Sequence, residues 1–259
     1  MREWNATTYH RISSPLADLG LAVLARVPLA GDEVAVDLGC GTGRVTRELA
    51  GRVPRGRVIG IDRSTNMLTQ AKSFLGGRAG APIRLVLADA LALPLHGSVD
   101  VIFSTATLHW VRDHPRLFAG IFDALRSGGR FVAQCGGGPN IARLRQRMDA
   151  LLQERSFDGA RANFRFPWEF ADAETTAARL TAAGFVDVTT FVERAPIVQR
   201  DADAYREFLK NVICGPYLMA MSDDRQRTYF LDRLTNAGAA DDPPFELDYC
   251  RLNMAGRKN

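Results

Sequence analysis

The chain has 259 residues, 46% apolar and 24% charged, a balance that can bury a sizeable core and lacks the low-hydrophobicity, high-charge signature of disorder. Its formal charge is +4 and its isoelectric point about 9.1. The basic residues are nevertheless scattered from Arg2 to Lys258 with no stripe or run, which argues against a nucleic-acid partner.

Length exceeds one average domain, but single-sheet α/β folds reach this size, so one core with an inserted cap is expected. The start, Met1 to Asn5, opens no apolar stretch. No later stretch is long and apolar enough for a membrane span, so a cytoplasmic protein with no membrane partner is expected. Cys40, Cys135, Cys214 and Cys250 lie far apart, which suggests reduced thiols and neither a zinc site nor a disulfide framework.

In chain order, Trp4, Asn5 and Tyr9 precede the core, and residues 34–135 then alternate short apolar runs with helical patterns, as a parallel sheet with crossover helices does. Strands are predicted near 34–38, 57–62, 84–89, 99–105 and 129–135, with helices near 43–53, 64–76 and 114–125. Leu117, Ile121 and Leu125 carry the helical spacing of the last. Ser127-Gly128-Gly129 reads as the end of that helix. Gly136 to Pro139 interrupts the chain. A helix over 140–154, a loop through Phe164, Phe166, Pro167 and Trp168, a helix near 173–183 and a strand near 185–194 follow. Residues 201–237 read as helices, and Phe245 to Ala255 alternates like a final strand. The helices therefore look inserted between the last two strands as a cap.

Chemistry concentrates at strand ends. In Val34 to Gly43 an apolar strand ends in Asp37, followed by Gly39, Gly41 and Gly43 before a helix. Glycines permit a tight turn and close ligand approach, and the helix N-terminus offers unpaired N–H groups. Asp62 ends the second strand, where a carboxylate can accept both hydroxyl hydrogens of a ribose. Asp89 ends the third predicted strand. Three acids thus stand at the carboxyl edge of the sheet, where open α/β sheets bind ligands.

With this spacing, G-x-G-x-G and not the dinucleotide G-x-G-x-x-G, the chain resembles the class I S-adenosylmethionine (SAM)-dependent methyltransferases. The branch resembled is that of trans-aconitate and juvenile hormone acid methyltransferases, through Trp4-Asn5 with Tyr9, Ala106 to Trp110, and Asp203 to Phe230. The resemblance implies an α/β, Rossmann-like fold: a mostly parallel seven-stranded sheet, helices on both faces and a helical cap inserted near the C-terminus. One methyltransferase domain over 1–259 is implied. Within it, N-terminal lid helices would span 1–30, a SAM-binding core 31–136, the substrate-side half of the sheet 137–200, the cap 201–240 and the last strand 245–259.

By resemblance, the cofactor SAM and its product S-adenosylhomocysteine are held by Trp4, Tyr9, Asp37, Gly39, Gly41, Asp62, Arg63, Met67, Asp89, Ala90 and Thr105. Gly39 and Gly41 would line the methionine end, Asp37 the ammonium, and Asp62 the ribose. Met67 would pack on adenine, with Asp89 and the Ala90 amide at its edge. Trp4 and Tyr9 belong to a lid over the cofactor.

His109 and Trp110, just past the fourth strand, are the candidate catalytic residues. The expected reaction is methyl transfer to a small molecule, on a carboxylate oxygen, in a pocket bordered by the cap. Arg11, His109, Arg165 and Arg194 are candidate anion holders. The alternatives are O-, N- or C-methylation of a natural product with His109 as base, or a non-catalytic SAM-binding regulator. No metal is expected, and the chain is expected as a monomer or homodimer.

Overall fold

The computed structural model describes residues 4–76 and 82–259; Arg2 and the other residues before Trp4 lie outside them. In chain order the elements are α1 (Ala6–Ile12), α2 (Ser14–Ala25), β1 (Val34–Leu38), α3 (Arg44–Arg52), β2 (Arg57–Asp62), α4 (Thr65–Leu75), β3 (Ile83–Leu87) and β4 (Val99–Thr105). A 3-10 turn (Leu108–Trp110) leads to α5 (His114–Ala124), β5 (Leu125–Gly136), α6 (Ala142–Leu152), α7 (Asp158–Asn163), α8 (Ala173–Ala182), β6 (Val186–Arg194) and β7 (Ile197–Val198). Then come α9 (Ala202–Phe208) with a π-helical turn, α10 (Gly215–Ala220), α11 (Asp224–Ala239), β8 (Glu246–Leu247) and β9 (Cys250–Arg257).

Seven strands form one sheet in the order β3-β2-β1-β4-β5-β9-β6. The pairs among β1 to β5 are parallel, and β9 runs antiparallel to β5. This is the mostly parallel seven-stranded α/β sheet expected. Alternation along each strand sends side chains to opposite faces. Ala35, Val101 and Phe103 join Val23, Leu24, Val45 and Leu49 of α2 and α3 on one face. Val36, Leu38, Ile102 and Phe131 join Leu117, Phe118, Ile121 and Leu180 of α5 and α8 on the other.

The chain gathers into two compact units. The first holds the chain up to Gly138, Trp168–Glu193 and Arg251–Asn259. The second holds Pro139–Pro167 and Arg194–Cys250, so the expected cap segment joins α6 and α7. Inside this second unit Arg147 and Asp241 form two hydrogen bonds of 2.9 and 2.6 Å, and Tyr217 stacks on Phe164 at 4.2 Å.

Three boundaries differ from the sequence expectation. The helix before β5 stops at Ala124, and Leu125 to Gly129 already belong to β5. Gly128 and Gly129 there serve a close backbone pairing, Gly128 N–H to Lys258 O at 2.8 Å and Lys258 N–H to Gly129 O at 2.9 Å, and do not cap a helix. The third strand ends at Leu87, so Asp89 stands two residues beyond it, in a turn closed by the Leu91 and Ala92 amides. The final strand is broken. Asp248 accepts from the amide of Arg143 at 2.7 Å at the start of α6, Glu246–Leu247 before it pair separately with β7, and β9 after it joins the large sheet.

Candidate active site

β1 delivers Asp37 to the sheet edge with its side chain on the α3 face, 2% exposed, where Oδ2 accepts from Thr46 Oγ1 at 2.6 Å. Burial, aided by the neighbouring Asp62 carboxylate, pushes its pKa up to about 7 against the single hydrogen bond from Thr46. The backbone then turns through Gly39 and Gly41, both at positive φ, 79° and 52°. A Cβ on Gly39 would overlap Thr107, whereas one on Gly41 meets nothing within 4 Å. Gly39 is thus required by packing, and Gly41 by its conformation beside open space.

β2 brings Asp62 under this loop. Its Oδ2 accepts from the Gly41 amide at 2.9 Å and its Oδ1 from the Ser64 amide at 2.9 Å. Desolvation raises the Asp62 pKa against these backbone hydrogen bonds. The Arg63 amide also bonds this carboxylate, and three amides still leave it acceptor capacity for a ligand hydroxyl. Ser64 then caps α4 by accepting from the Met67 amide at 3.3 Å, and Met67 is buried.

A cleft opens above the loop, lined by Asp37, Gly39, Cys40, Gly41, Thr42, Thr105 and Ala106 from the sheet edge, and by Tyr9, Ser13, Leu16 and Ala17 from α1 and α2. Five of the expected site residues, Tyr9, Asp37, Gly39, Gly41 and Thr105, therefore share one cavity, with Asp62 bonded to its floor. Trp4, Arg63, Met67, Asp89, Ala90, His109 and Trp110 do not line it; Arg63 and Asp89 are exposed. Ala106 holds a left-handed conformation, φ 55°, a costly state for a residue with a Cβ, fixed by its amide donating to Gln134 O at 2.8 Å.

α1 is tied to the loop by residues the sequence reading passed over. His10 Nδ1 lies 2.8 Å from Thr42 Oγ1, and Arg44 Nη2 donates to the His10 carbonyl at 2.7 Å. Burial, with Arg44 and Arg47 nearby, lowers the His10 pKa. Trp4 makes edge contacts with Tyr9 at 5.4 Å and Trp110 at 5.5 Å. Trp110 meets Trp168, and Phe170 meets both Trp168 and His109, so an aromatic chain runs from the N-terminal helix to the 3-10 turn.

That turn holds His109, 9% exposed. The Gly136 amide donates to its Nδ1 at 3.3 Å, which makes Nδ1 an acceptor and leaves the proton on Nε2. Burial, then Arg251 and His114, push its pKa down to about 3, so the ring is a neutral donor. The turn is fixed from behind, since His114 Nε2 donates to Leu108 O at 3.2 Å and the Glu169 amide donates to His109 O at 2.8 Å.

Arg251, 3% exposed, faces Gly136 in the β5–β9 register. The sequence reading missed it. Its signal was a charged residue within the predicted final strand. Of the arginines expected as anion holders, Arg11 and Arg194 are exposed, and Arg165 donates to the carbonyls of Ala162 and Phe164.

An acid-ended strand, a glycine turn open to a cleft and a carboxylate beneath it, on this strand order, define a class I methyltransferase core. A family model described as a methyltransferase domain matches residues 36–133. Trans-aconitate 2-methyltransferase of Deinococcus radiodurans is 33% identical over 88% of this chain and 87% of its own length. An uncharacterised methyltransferase of Schizosaccharomyces pombe is 32% identical over 80% and 78%. Among solved structures, phosphoethanolamine N-methyltransferase 2 of Haemonchus contortus, in complex with phosphomonomethylethanolamine and S-adenosylhomocysteine, superposes with a TM-score of 0.63 at 20% identity. The match covers 98% of this chain and 56% of that one.

The chain belongs to the class I SAM-dependent methyltransferases. It is an enzyme of the small-molecule branch that includes the trans-aconitate 2-methyltransferases, and its cofactor is SAM. Among the described residues no helix is long and apolar enough to cross a membrane, and all four cysteines are free thiols.

Proposed function

We propose that the protein transfers the methyl group of SAM to a carboxylate oxygen of a small organic acid. The observation that carries this reading is His109: buried, neutral, with its proton on Nε2 and with the buried, positively charged Arg251 close enough to lower its pKa. A histidine with a pKa near 3 is a poor proton acceptor at neutral pH but a sound hydrogen-bond donor. It suits an acceptor that is already a nucleophile, and a carboxylate is one. The likeness to trans-aconitate 2-methyltransferase points the same way.

In this reading Asp62 accepts from the ribose hydroxyls, and Asp37 answers the amino-acid ammonium through the loop. Gly39 and Gly41 let the backbone approach the methionine end, where the open space at the Gly41 Cβ position fits a ligand. Met67, Arg63, Asp89 and the Ala90 amide surround the base. Trp4 and Tyr9 close over the cofactor. Bound SAM supplies an electrophilic methyl group on its sulfonium. The protein's part is placement: His109 orients the acceptor, Trp110 and its aromatic neighbours exclude water, and the in-line geometry does the rest.

A panel of carboxylates, phenols and amines, assayed with isotopically labelled SAM, tests this. The expected product is a methyl ester, recognised by mass and by release of methanol in alkali. Turnover confined to neutral amines or phenols would overturn the proposal and promote natural-product methylation.

A further inference from the structure

Beyond the carboxylate end, three strands converge on one half-buried acid. Gln134 of β5 and Asn253 of β9 face each other in register and are 5% and 7% exposed. Gln134 Nε2 donates to Asn253 Oδ1 at 3.0 Å and to Glu193 Oε1 at 3.4 Å, and Asn253 Nδ2 donates to the same Glu193 oxygen at 2.9 Å. Glu193 stands at the end of β6, the edge strand next to β9. Among the described residues no cation pairs with it, and its Oε2 accepts no hydrogen bond. Two buried amides thus pin one oxygen and leave the other available to a donor.

Register locates this group relative to the chemistry. Gln134 pairs with Thr105, a wall of the cofactor cleft. With strands about 4.8 Å apart, Asn253 stands roughly 10 Å from Thr105 across the sheet. Arg251 and Asn253 lie two residues apart on one face of β9, about 7 Å along the strand. That face therefore carries a cation whose charge reaches His109 and, one pleat on, the amide that holds the Glu193 carboxylate in place. A carboxylate held by Asn253, two strands away from Thr105, stands off the cofactor cleft, and methylation of a carboxylate leaves no proton for it to remove. It can bind the distal end of the acceptor, and binding energy from such remote groups sets specificity.

We infer that Glu193, positioned by Gln134 and Asn253, is a specificity-determining group that takes a hydroxyl or ammonium at the far end of the acceptor and rejects a second carboxylate there. The inference rests on the carboxylate reading above for the near end only. It assigns the acceptor class as hydroxy- or amino-carboxylic acids, not polycarboxylates.

The test compares wild type with Glu193→Gln, which keeps the side-chain shape, on butyrate and hexanoate, their terminal hydroxy and amino derivatives, the matching dicarboxylates, and trans-aconitate. Wild type should prefer the hydroxy and amino acids by about tenfold or more in kcat/KM, the scale set when a buried polar group is left unpaired. Glu193→Gln should lose most of that preference through KM and gain on the dicarboxylates, with unchanged affinity for S-adenosylhomocysteine. If carboxylates are methylated with the same order of preference by both proteins, the inference fails and the carboxylate reading stands. If only neutral amines or alcohols turn over, the carboxylate reading fails. The inference is then decided on diamines and diols against their monofunctional counterparts, surviving if Glu193→Gln removes a preference for the second donor and failing if it does not.

Discussion

His109 shows what one buried side chain does to the molecule's response to pH. Its pKa falls from an ordinary 6.5 to about 3 because burial removes water from the cationic form, with Arg251 adding repulsion. Above about pH 6.5 the ring is neutral both folded and unfolded, so it favours neither state. As pH falls from 6.5 toward 3 the unfolded chain takes up a proton that the folded chain refuses, and stability is lost by a few kcal/mol at most. His109→Gln keeps a neutral donor without the titration. Its urea midpoint should fall less between pH 7 and pH 4.5 than that of wild type. His109→Ala, which removes the donor, should lower kcat by roughly ten- to a hundredfold through loss of near-attack geometry, with little change in cofactor affinity by calorimetry. Equal acid sensitivity of wild type and His109→Gln would remove His109 as the titrating group.

At the scale of elements, α1 behaves as a short helix held by its partners. Seven residues are too few to be stable alone. Asn5 caps it by accepting from the Thr8 amide at 3.1 Å, and His10 and Arg44 fasten it to the glycine turn. Because Tyr9 lines the cleft, moving α1 away from the glycine turn breaks those two bonds and opens this side. Deleting residues 1–12 should leave a folded protein that binds S-adenosylhomocysteine at least tenfold more weakly, since each bond contributes about 1 kcal/mol and the cleft loses a wall. Hydrogen exchange in α1 should slow when S-adenosylhomocysteine is added; identical exchange with and without it would refute a lid.

How much of this was legible follows the range of the interactions. β1, β2 and β4 are read to the residue because each is an apolar run bounded by turn chemistry, and the glycine turn with Asp37 and Asp62 is local enough to be read with them. The two glycines at 128 and 129 were misread because a helix end and a close strand pairing ask for the same residue. Glu193 was not legible, and Arg251 showed only as a charge in the final strand, with nothing to say what it faces. Their partners, His109, Gln134 and Asn253, are brought near them only by strand order, which no local pattern encodes.

The whole molecule depends on that strand order. β9, the last strand, lies between β5 and β6, so the first unit is drawn from three separate stretches of chain. Seven consecutive pairs join β5 to β9, from Arg130–Arg257 to Gly136–Arg251, and Leu252 and Met254 enter the core shared with Phe118, Phe131 and Phe185. Without β9, β5 loses its partner on that side, β6 loses the neighbour that joins it to the sheet among the described strands, and a buried core face is opened to water. Removing two core side chains of this size already costs about 2–5 kcal/mol each, comparable with the net stability of a domain. A chain ending at Tyr249 should therefore show no cooperative thermal transition. S-adenosylhomocysteine should not restore one, although its proposed contacts lie outside β9, because a ligand stabilises only a state that exists to bind it. Such pairing of distant segments also implies slow folding. A truncated chain that melts cooperatively and binds S-adenosylhomocysteine would show that β1 to β5 form a core able to stand without the final strand.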